Sequence, residues 1–516
     1  MPRYFPDLPT FNDRARGADI IPVYRQLLSD WLTPVSAFEV LSRDMQHAFL
    51  LESVVGGEKI ARYSFIATQP SIVYSCTQGQ AQLSRPVDGT SATPFPTTDP
   101  LADLTHLMSW TRLRYFHDRA LPPFTGGLVG FAGYDTVRYY ESEKLTAAPP
   151  DDRNLPDLMF GMYGELVVFD HVDKTIKVIS NARIDSTDTT DTQREKSVTE
   201  AYHAACARVD AIVRRLSAPV TPRGGEIDAS TPLDLDFTSN MTRAEYEAAV
   251  ACGMEYIKAG DIFQFVPSQR FRVTSDAPPF DVYRALRVIN PSPFMFYLKC
   301  PACTLIGASP EILCRVQDGI VTSRPLAGTR KRGATEEEDK ALEAELLADP
   351  KERAEHIMLV DLHRNDIGRV SKIGSVKVVE ALTIERYSHV MHISSDVQGE
   401  LAPDQTAMDA LRVSLPVGTV SGAPKIRAMQ IIDEVERTRR GPYGGAVGYF
   451  DFAGNMDMCI ALRTIVWTQG TDGHGRFDVQ AGAGVVADSV PASEYEETMS
   501  KARALLKAVE IAHRGM

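Results

Sequence analysis

Residues 444–467 read GGAVGYFDFAGNMDMCIALRTIVW, two β-rich runs on either side of the turn Ala453-Gly454-Asn455. This pattern is typical of a β-hairpin, because Gly and Asn readily take turn conformations. LVVFDHVDKTIKVIS (166–180) and ILCRVQDGIVTSRP (312–325) repeat it. Strands therefore come in antiparallel pairs, and separate blocks of helical periodicity lie between them. This order predicts an α+β fold rather than a doubly wound parallel sheet.

The composition is that of a globular protein and excludes several classes. The 516 residues are 44% hydrophobic and 24% charged, and the net charge of −13 disfavours nucleic acid as the main partner. No apolar stretch approaches the roughly 20 residues of a membrane helix, and the N-terminal residues lack the apolar core of a secretory signal. The odd number of cysteines, seven, set mostly in apolar runs, suits reduced thiols. We therefore expect a cytoplasmic protein with no membrane or nucleic-acid partner.

Sequence character changes along the chain and predicts three regions. Residues 1–180 mix short strand-like runs with helices, whereas 181–238 are polar, rich in Pro, Gly and Ser, and contain one helical pattern at 198–216. Residues 239–516 are more regular and open with a capping box at Thr242. We predict an N-terminal region, a polar connector with one helix, and a main domain with these boundaries.

Two Glu-x-x-Glu units mark the starts of predicted helices. In DPKERAEHIMLVDLHRND (349–366), Asp349 is the expected N-cap, Pro350 suits the first helical position, and Glu352 is expected to close a capping box. Glu355 then lies on the same helical face as Glu352, because residues three apart are neighbours on a helix.

The second unit lies in SEYEETMSKARALLKAV (493–509), where Ser493 is the expected N-cap and Glu494, Glu497 and Lys501 follow on one face. Acidic residues favour first turns because of the helix dipole, so each unit alone is consistent with an ordinary helix start. Four carboxylates converging from two helix starts would instead form a site for a hard cation such as Mg²⁺, which prefers oxygen ligands. Spacing alone leaves both interpretations open.

Small and basic residues form further candidate binding segments. RPLAGTRKRG (324–333) surrounds a nearly featureless core with basic side chains; it could hold a phosphate, a nucleic-acid backbone or a small carboxylate, or form a solvated turn. GTVSGAPK (418–425) lacks the spacing of a phosphate loop. QAGAGVV (480–486) and GPYGGAVG (441–448) predict either close approach of backbone to a ligand or tight sheet packing.

Taken together and in order, these segments resemble the chorismate-utilising enzymes, and within them the anthranilate synthase component I branch. The similarity covers nearly the whole chain and implies the chorismate-binding enzyme fold, a sandwich of antiparallel β-sheets with helices on the outside. It also implies that 1–180 is regulatory and that 239–516 is the catalytic domain. The motifs are LLES (50–53), GDIFQFVPSQRF, NPSPFMFYL, ASPE, PLAGTRKRG, the two Glu-x-x-Glu segments, VMHISSDVQGEL, GTVSGAPKIRAM, GPYGGAVGYFDFAGNMD, IALRT and QAGAGVVADSVPASEYEET.

The resemblance implies a specific reaction. Chorismate would take ammonia at ring C2 and lose its C4 hydroxyl, after which pyruvate is eliminated and the ring becomes anthranilate. Glu311 of ASPE would be the general acid at C4, and His392 of VMHIS would assist the lyase step.

The resemblance also implies how metal and substrate are held. Glu355 and Glu497 would bind Mg²⁺ directly, with Glu352 and Glu494 acting through waters, so that the ion clamps the ring carboxylate. The side chains expected to grip carboxylates are Arg463, Tyr443 and Lys501, and the groups expected to line the pocket are Gly328, Thr329, Thr419, Gly482 and Gly484. The basic stretch at 324–333 is then expected to serve the dicarboxylate by offsetting the negative net charge locally.

Two positions bear on the nucleophile. Relatives that attack through a covalent lysine, or that activate water, carry Lys where this sequence has Ala327 and Gln264. With both lysines missing, the resemblance implies free ammonia. No segment resembles a glutamine amidotransferase, so the ammonia is expected from a separate amidotransferase subunit in a heterotetramer.

The resemblance further implies feedback inhibition by tryptophan, the end product of the pathway that this reaction would open. The residues expected at that allosteric site are Glu52, Ser53, Arg62, Pro293, Phe294, Met295 and Tyr449. Pro293 and Met295 would form an apolar shelf for the indole, while Glu52 and Ser53 would meet the α-amino group. Tyr449 and Cys459 would couple this site to Arg463.

Two alternatives remain at this point. Aminodeoxychorismate and aminodeoxyisochorismate synthases share the fold, but only anthranilate synthase releases pyruvate and an ortho-amino acid. A non-catalytic tryptophan-binding regulator would not need the set Glu311, Glu355, His392, Glu497 and Lys501.

Overall fold

The computed structural model describes residues 3–53, 62–109, 114–118, 120–184, 191–219, 225–387 and 390–515. The helices in these ranges are α1 (Leu8–Ala15), α2 (Pro34–Ser42), α3 (Pro100–Ser109), α4 (Asp191–Leu216), α5 (Arg243–Ala259), α6 (Pro279–Ile289), α7 (Glu336–Ala348), α8 (Pro350–Gly368), α9 (Ala407–Ser414), α10 (Lys425–Val435) and α11 (Pro491–Arg514). Short 3-10 helices span Tyr134–Tyr139 and Gly418–Val420. None of the described helices combines the length and apolar character needed to cross a membrane.

The strands fall into an N-terminal and a C-terminal set. The first is β1 (Ile20–Leu28), β2 (Ala48–Glu52), β3 (Tyr63–Thr68), β4 (Ile72–Thr77), β5 (Gln80–Arg85), β6 (Thr90–Ser91), β7 (Phe95–Pro96), β8 (Gly127–Ala132), β9 (Leu158–Tyr163), β10 (Glu165–Asp170) and β11 (Thr175–Arg183). The second is β12 (Thr238–Ser239), β13 (Gln264–Phe265), β14 (Ser268–Thr274), β15 (Phe294–Lys299), β16 (Thr304–Ser309), β17 (Ile312–Gln317), β18 (Ile320–Ser323), β19 (Leu326–Lys331), β20 (Lys377–Arg386), β21 (Val390–Glu400), β22 (Gly422–Ala423), β23 (Ala446–Asp451), β24 (Met456–Ile460), β25 (Thr464–Gln469) and β26 (Gly475–Gly482).

Two large antiparallel sheets organise the described chain. Sheet one has the order β1-β11-β10-β3-β2-β15-β16-β25-β26-β14-β12. Sheet two has the order β19-β21-β18-β17-β24-β23-β8-β9-β4-β5-β6, with β20 paired to β21 and β7 to β5. β13 and β22 form a separate short ladder. The α+β prediction is confirmed.

The sheets pack face to face with helices on their outer sides. One buried cluster joins Phe49 and Phe65 of sheet one to Val129 and Val447 of sheet two. A second cluster packs α2, α6 and α11 against sheet one, and a third packs α3, α8 and α9 against sheet two. Burying one apolar face of each element in this way gives the predicted sandwich.

The three predicted hairpins are confirmed. β23 pairs with β24 around the Ala-Gly-Asn turn, and β10 pairs with β11 from Asp170↔Thr175 outward. β17 and β18 close at Gln317↔Ile320, which leaves Asp318 and Gly319 as the two turn residues, both with positive φ. That conformation matches the twist of the flanking strands.

Each large sheet takes strands from both sides of the predicted connector. β1–β3, β10 and β11 join β14–β16, β25 and β26 in sheet one. The connector's predicted helix is confirmed as α4, which begins at Asp191 rather than Val198 and packs against β1 and β11. The boundaries at 180 and 238 remain predictions about the domains.

Candidate active site

The first carboxylate pair lies at the start of α8. Asp349 caps this helix as predicted, with its side chain accepting from the backbone N–H groups of Lys351 (2.9 Å) and Glu352 (3.3 Å). The capping box also predicts that the Glu352 side chain accepts a hydrogen bond from the backbone N–H of Asp349, and this prediction is wrong. The Glu352 carboxylate instead accepts from Arg330 Nη1 at 3.0 Å, because a charged partner outcompetes the backbone N–H of the cap.

Glu355 lies one turn further along α8 and faces the second helix. Burial raises the pKa of its carboxyl group, and the negative charges of Glu352 and, more weakly, Glu497 raise it further. Gln264 Nε2 donates to Glu355 Oε1 at 3.4 Å. The structure therefore brings the acidic starts of α8 and α11 within electrostatic range of each other.

The second pair lies on α11, whose start differs from the sequence prediction. Val490, not Ser493, is the N-cap, because Pro491 already has the fixed φ of a first helical residue. Glu494 remains in the first turn, and burial together with the charge of Glu497 raises its pKa. Glu497 Oε1 lies 2.6 Å from Lys501 Nζ.

The four carboxylates of α8 and α11 are the candidate ligands of a metal ion. Among the described residues, no three His, Cys, Asp or Glu side chains are arranged closely enough to hold an ion. The donor chemistry nevertheless fits a hard cation, since all donors are carboxylate oxygens and the pKa values of Glu355 and Glu494 are raised by burial and by neighbouring negative charge. The partners Arg330 and Lys501 already neutralise Glu352 and Glu497.

Glu311 provides an acid in the interior. It lies between β16 and β17, is only 3% exposed, and accepts a hydrogen bond from Thr419 Oγ1 at 3.0 Å. Burial raises its pKa to about 8, against the lowering effect of the Thr419 hydroxyl. Glu311 is therefore mainly a neutral carboxylic acid at pH 7 and can donate a proton.

His392 on β21 has a defined tautomer. Its Nδ1 lies 2.9 Å from the carbonyl oxygen of Gly328, which only accepts, so Nδ1 carries the proton and Nε2 has a free lone pair. Gly328 has φ +65° at a bulge opposite His392, and a Cβ there would lie 3.1 Å from Glu352 Oε2. Thr329 Oγ1 lies 3.1 Å from the same Nδ1. Burial lowers the pKa of His392, which favours the neutral ring.

Arg463, Tyr443 and Lys501 converge beside α11. Arg463 has φ +47°, a left-handed conformation that is strained for an Arg and is common at functional sites. Its Nη1 donates to the carbonyl oxygen of Lys501 at 3.0 Å, and Lys501 Nζ donates to the carbonyl oxygen of Gly482 at 2.9 Å. Burial lowers the pKa of Arg463 and raises that of Tyr443 to about 12. The group offers cationic and phenolic donors suited to carboxylates.

Gln264 borders the same region. It is 5% exposed, and its Oε1 is buried without a hydrogen-bond partner in the described part of the chain. The backbone of Gly484 passes so closely that a Cβ there would lie 2.9 Å from Gln264 Nε2. A buried amide oxygen with no donor is a place where a small N–H donor would be stabilised.

The role predicted for the basic stretch 324–333 is wrong for its arginines. Arg324 pairs with Glu385 and Asp396, and Arg332 pairs with Asp339. Arg330 is shared among the carboxylates of Glu345, Asp349 and Glu352. These internal ion pairs neutralise the arginine charges and order the loop around Gly328.

A separate cavity of about 510 Å³ lies between the two sheets. All the residues predicted for the allosteric site line it: Glu52, Ser53, Arg62, Pro293, Phe294, Met295 and Tyr449. Pro293, Phe294 and Met295 form an apolar wall. The Tyr449 ring stacks on the Phe124 ring, with the ring centroids 4.1 Å apart.

The predicted contact of Glu52 with an amino group disagrees with its bonding. Its carboxylate already accepts from Tyr283 at 2.6 Å and from Arg287 at 3.0 and 3.2 Å. The free polar atoms in this wall are instead Ser53 Oγ and Asp457 Oδ1, both buried without a partner among the described residues.

Sequence reasoning missed several residues at these two sites. Asp457 and Arg315 line the cavity and pair with each other at 2.8 Å. Tyr387 packs edge-on against the His392 ring with centroids 5.6 Å apart. The hairpin register could have identified Asp457, which alternates with buried Met456 and Met458, but nothing local identifies a partner of His392.

Comparison with known proteins gives consistent matches along the chain. A family model described as chorismate binding enzyme matches residues 46–507. Anthranilate synthase component 1 of Pseudomonas aeruginosa is 46% identical over 97% of this chain and 98% of its own length. The anthranilate synthase component 1 of Acetivibrio thermocellus is 45% identical over 98% of this chain and 99% of its own length. The crystal structure of anthranilate synthase component I from Streptococcus pneumoniae matches with a TM-score of 0.71 and 38% identity, over 93% of this chain and 99% of the other.

Proposed function

The chain belongs to the chorismate-binding enzyme family, in its anthranilate synthase component 1 branch, and we propose that it converts chorismate and ammonia to anthranilate and pyruvate as the first step of tryptophan biosynthesis. The observation that supports this most directly is Glu311, a buried acid with a pKa of about 8, placed beside Thr419. Such an acid holds its proton at neutral pH until a leaving group requires it.

Each residue of the site has a place in this reaction. Arg463, Tyr443 and Lys501 bind the substrate carboxylates, and Glu311 donates its proton to the departing C4 hydroxyl, which leaves as water. In the second half, the neutral Nε2 of His392 assists removal of the C2 proton; the ring C3–O bond breaks, and the enolpyruvyl group leaves as pyruvate after its methylene carbon gains a proton.

Four carboxylates make up the proposed magnesium site. Glu355 and Glu497 would hold Mg²⁺ directly, with Glu352 and Glu494 acting through waters, and the ion would supply positive charge at the ring carboxylate. The raised pKa values of Glu355 and Glu494 support this assignment, because burial and neighbouring carboxylates disfavour their negative charges and a bound cation would relieve that repulsion.

Ammonia is the proposed nucleophile. Ala327 is buried and carries no amine. The buried Oε1 of Gln264 has no hydrogen-bond partner among the residues that the structure describes, and an N–H group of ammonia can satisfy it. The source is proposed to be a glutamine amidotransferase subunit, component II, in a cytoplasmic heterotetramer.

A direct assay tests the function. Purified chain with Mg²⁺, chorismate and high ammonia is expected to release fluorescent anthranilate and equimolar pyruvate. Glutamine is expected to replace ammonia only after the amidotransferase subunit is added. An aminated product without pyruvate would instead identify an aminodeoxychorismate-type synthase, and no turnover would contradict the proposal.

Tryptophan is the proposed occupant of the cavity between the sheets. The cavity is large enough for an amino acid with an indole side chain. Its wall combines the apolar Pro293 and Met295 with Ser53 Oγ and Asp457 Oδ1, which have no hydrogen-bond partner within the described part of the chain. The α-amino group would meet these two oxygen atoms, and the indole would lie on the apolar wall. β23 and β24 connect the cavity to Arg463 beside the substrate.

Ser53→Leu is expected to weaken tryptophan inhibition at least tenfold, because the larger side chain fills the polar end of the cavity and removes a hydrogen bond, each an effect of about 1–2 kcal/mol. The measurement is the tryptophan concentration that halves anthranilate formation, referred to each variant's own rate without tryptophan. Ser217→Leu, at an exposed position just past the C-terminal end of α4, is the control. An unchanged tryptophan response in Ser53→Leu would rule out this cavity.

A further inference from the structure

Glu311 lies between β16 and β17 and His392 lies on β21, and two side chains of the β20–β21 hairpin lie near both. Glu385 is the register partner of His392. Tyr387 lies just after β20, with its ring edge-on to the His392 ring at 5.6 Å. Its hydroxyl donates to Glu385 Oε2 at 2.7 Å and lies 3.4 Å from the carbonyl oxygen of Pro310, the residue before Glu311.

The pair is itself firmly held. The other carboxylate oxygen of Glu385 lies 2.7 Å from Arg324 Nη2. The Tyr387 backbone is tied on both sides, since its N–H donates to Val390 and its carbonyl accepts from Arg332 Nη1 at 2.7 Å. Two half-buried side chains with this many fixed bonds are suited to orienting their neighbours.

We propose that Tyr387 and Glu385 are positioning residues, which hold the His392 ring and the Pro310–Glu311 segment in one fixed arrangement for the two halves of the reaction. This inference rests on the proposed function. In it, Tyr387 blocks rotation of the imidazole from its edge, while Gly328 holds Nδ1 from the other side. The Tyr387 hydroxyl fixes Glu385, whose negative charge then faces both reacting groups.

The charges around His392 and Glu311 affect the pKa values of both groups, so the arrangement can be tested by titration. His392 faces the Gly328 carbonyl, Glu385, Arg463 and Glu352, and Glu385 acts to raise its pKa against the burial that lowers it. Glu311 is affected by burial, the Thr419 hydroxyl, the Leu326 backbone and Glu385, and again Glu385 raises its pKa. Removing that one negative charge is therefore expected to lower both pKa values.

Tyr387→Phe tests the positioning role, because it deletes the hydroxyl and keeps the ring. We expect kcat to fall about tenfold, with KM within about twofold, since misaligned reacting groups lower the rate without weakening carboxylate binding. Tyr256→Phe is a matched control, because the Tyr256 hydroxyl donates to Glu434 at 2.8 Å on the outer surface of α5. It is expected to keep the wild-type kcat. A wild-type kcat in Tyr387→Phe would overturn the proposal.

Glu385→Gln tests the electrostatic part. The alkaline limb of the pH–rate profile is expected to move to lower pH, and Glu385→Asp, which keeps the charge, is expected to restore it. Histidine NMR measures the His392 pKa without turnover, and that pKa should fall in Glu385→Gln. An unchanged profile together with an unchanged His392 pKa would overturn the inference. A wild-type chain that forms another product from chorismate would overturn only the proposed function, since the same comparisons then apply to that product.

Discussion

Glu311→Gln is expected to lower kcat for anthranilate formation by about a hundredfold to ten-thousandfold, the range for loss of a general acid. Gln has nearly the same shape as protonated Glu and can keep the hydrogen bond from Thr419 Oγ1, which spans 3.0 Å in the wild type. It cannot give a proton to the departing hydroxyl. KM for chorismate should therefore change little, and steady-state anthranilate fluorescence measures both parameters.

The pH dependence provides a second test of Glu311. Its raised pKa of about 8 means that the acid form is present at pH 7 and is lost as the pH rises through that value. Wild-type kcat is therefore expected to decline above about pH 8, and this limb should be missing from the residual activity of Glu311→Gln. Wild-type turnover by the variant, or a wild-type profile flat through pH 9, would contradict the assignment.

Local patterns gave most of the fold. The Gln-Asp-Gly turn and the Thr242 capping box depend on residues a few positions apart, and both occur as predicted. The start of α11 was misplaced because two local signals compete there. Ser493 is a good N-cap residue, but Pro491 can begin the helix earlier, and in the structure it does.

The site was harder to predict because its chemistry depends on distant partners. The sequence shows the charges of Arg330 but not the three carboxylates that surround it, so its proposed role toward the substrate was wrong. The pKa of Glu311 depends on burial and on Thr419, 108 positions away. Similarly, Tyr283 and Arg287, on a separate helix, donate hydrogen bonds to the Glu52 carboxylate. No local sequence pattern indicates those bonds.

Glu355→Gln and Glu497→Gln are each expected to lower kcat/KM by about a thousandfold, because losing a direct ligand removes several kcal/mol of charge stabilisation and each 1.4 kcal/mol is about tenfold. Mg²⁺ affinity, measured by calorimetry, should fall in parallel. Glu496→Gln is the control on the same helix, since Glu496 is 60% exposed and pairs with Arg243 instead. It should match the wild type in both measurements.

Thermal stability separates this prediction from misfolding. The pKa of Glu355 is raised in the folded protein, so its acid form is favoured there and its negative charge at pH 7 opposes folding. Neutral Gln removes that repulsion, and Tm of Glu355→Gln without added metal is therefore expected to equal or exceed that of the wild type. Added Mg²⁺ should raise the wild-type Tm but leave the variant's Tm unchanged, because only a bound ligand stabilises the native state. A variant that loses activity while keeping the full Mg²⁺-dependent rise in Tm would show that Glu355 does not bind the metal.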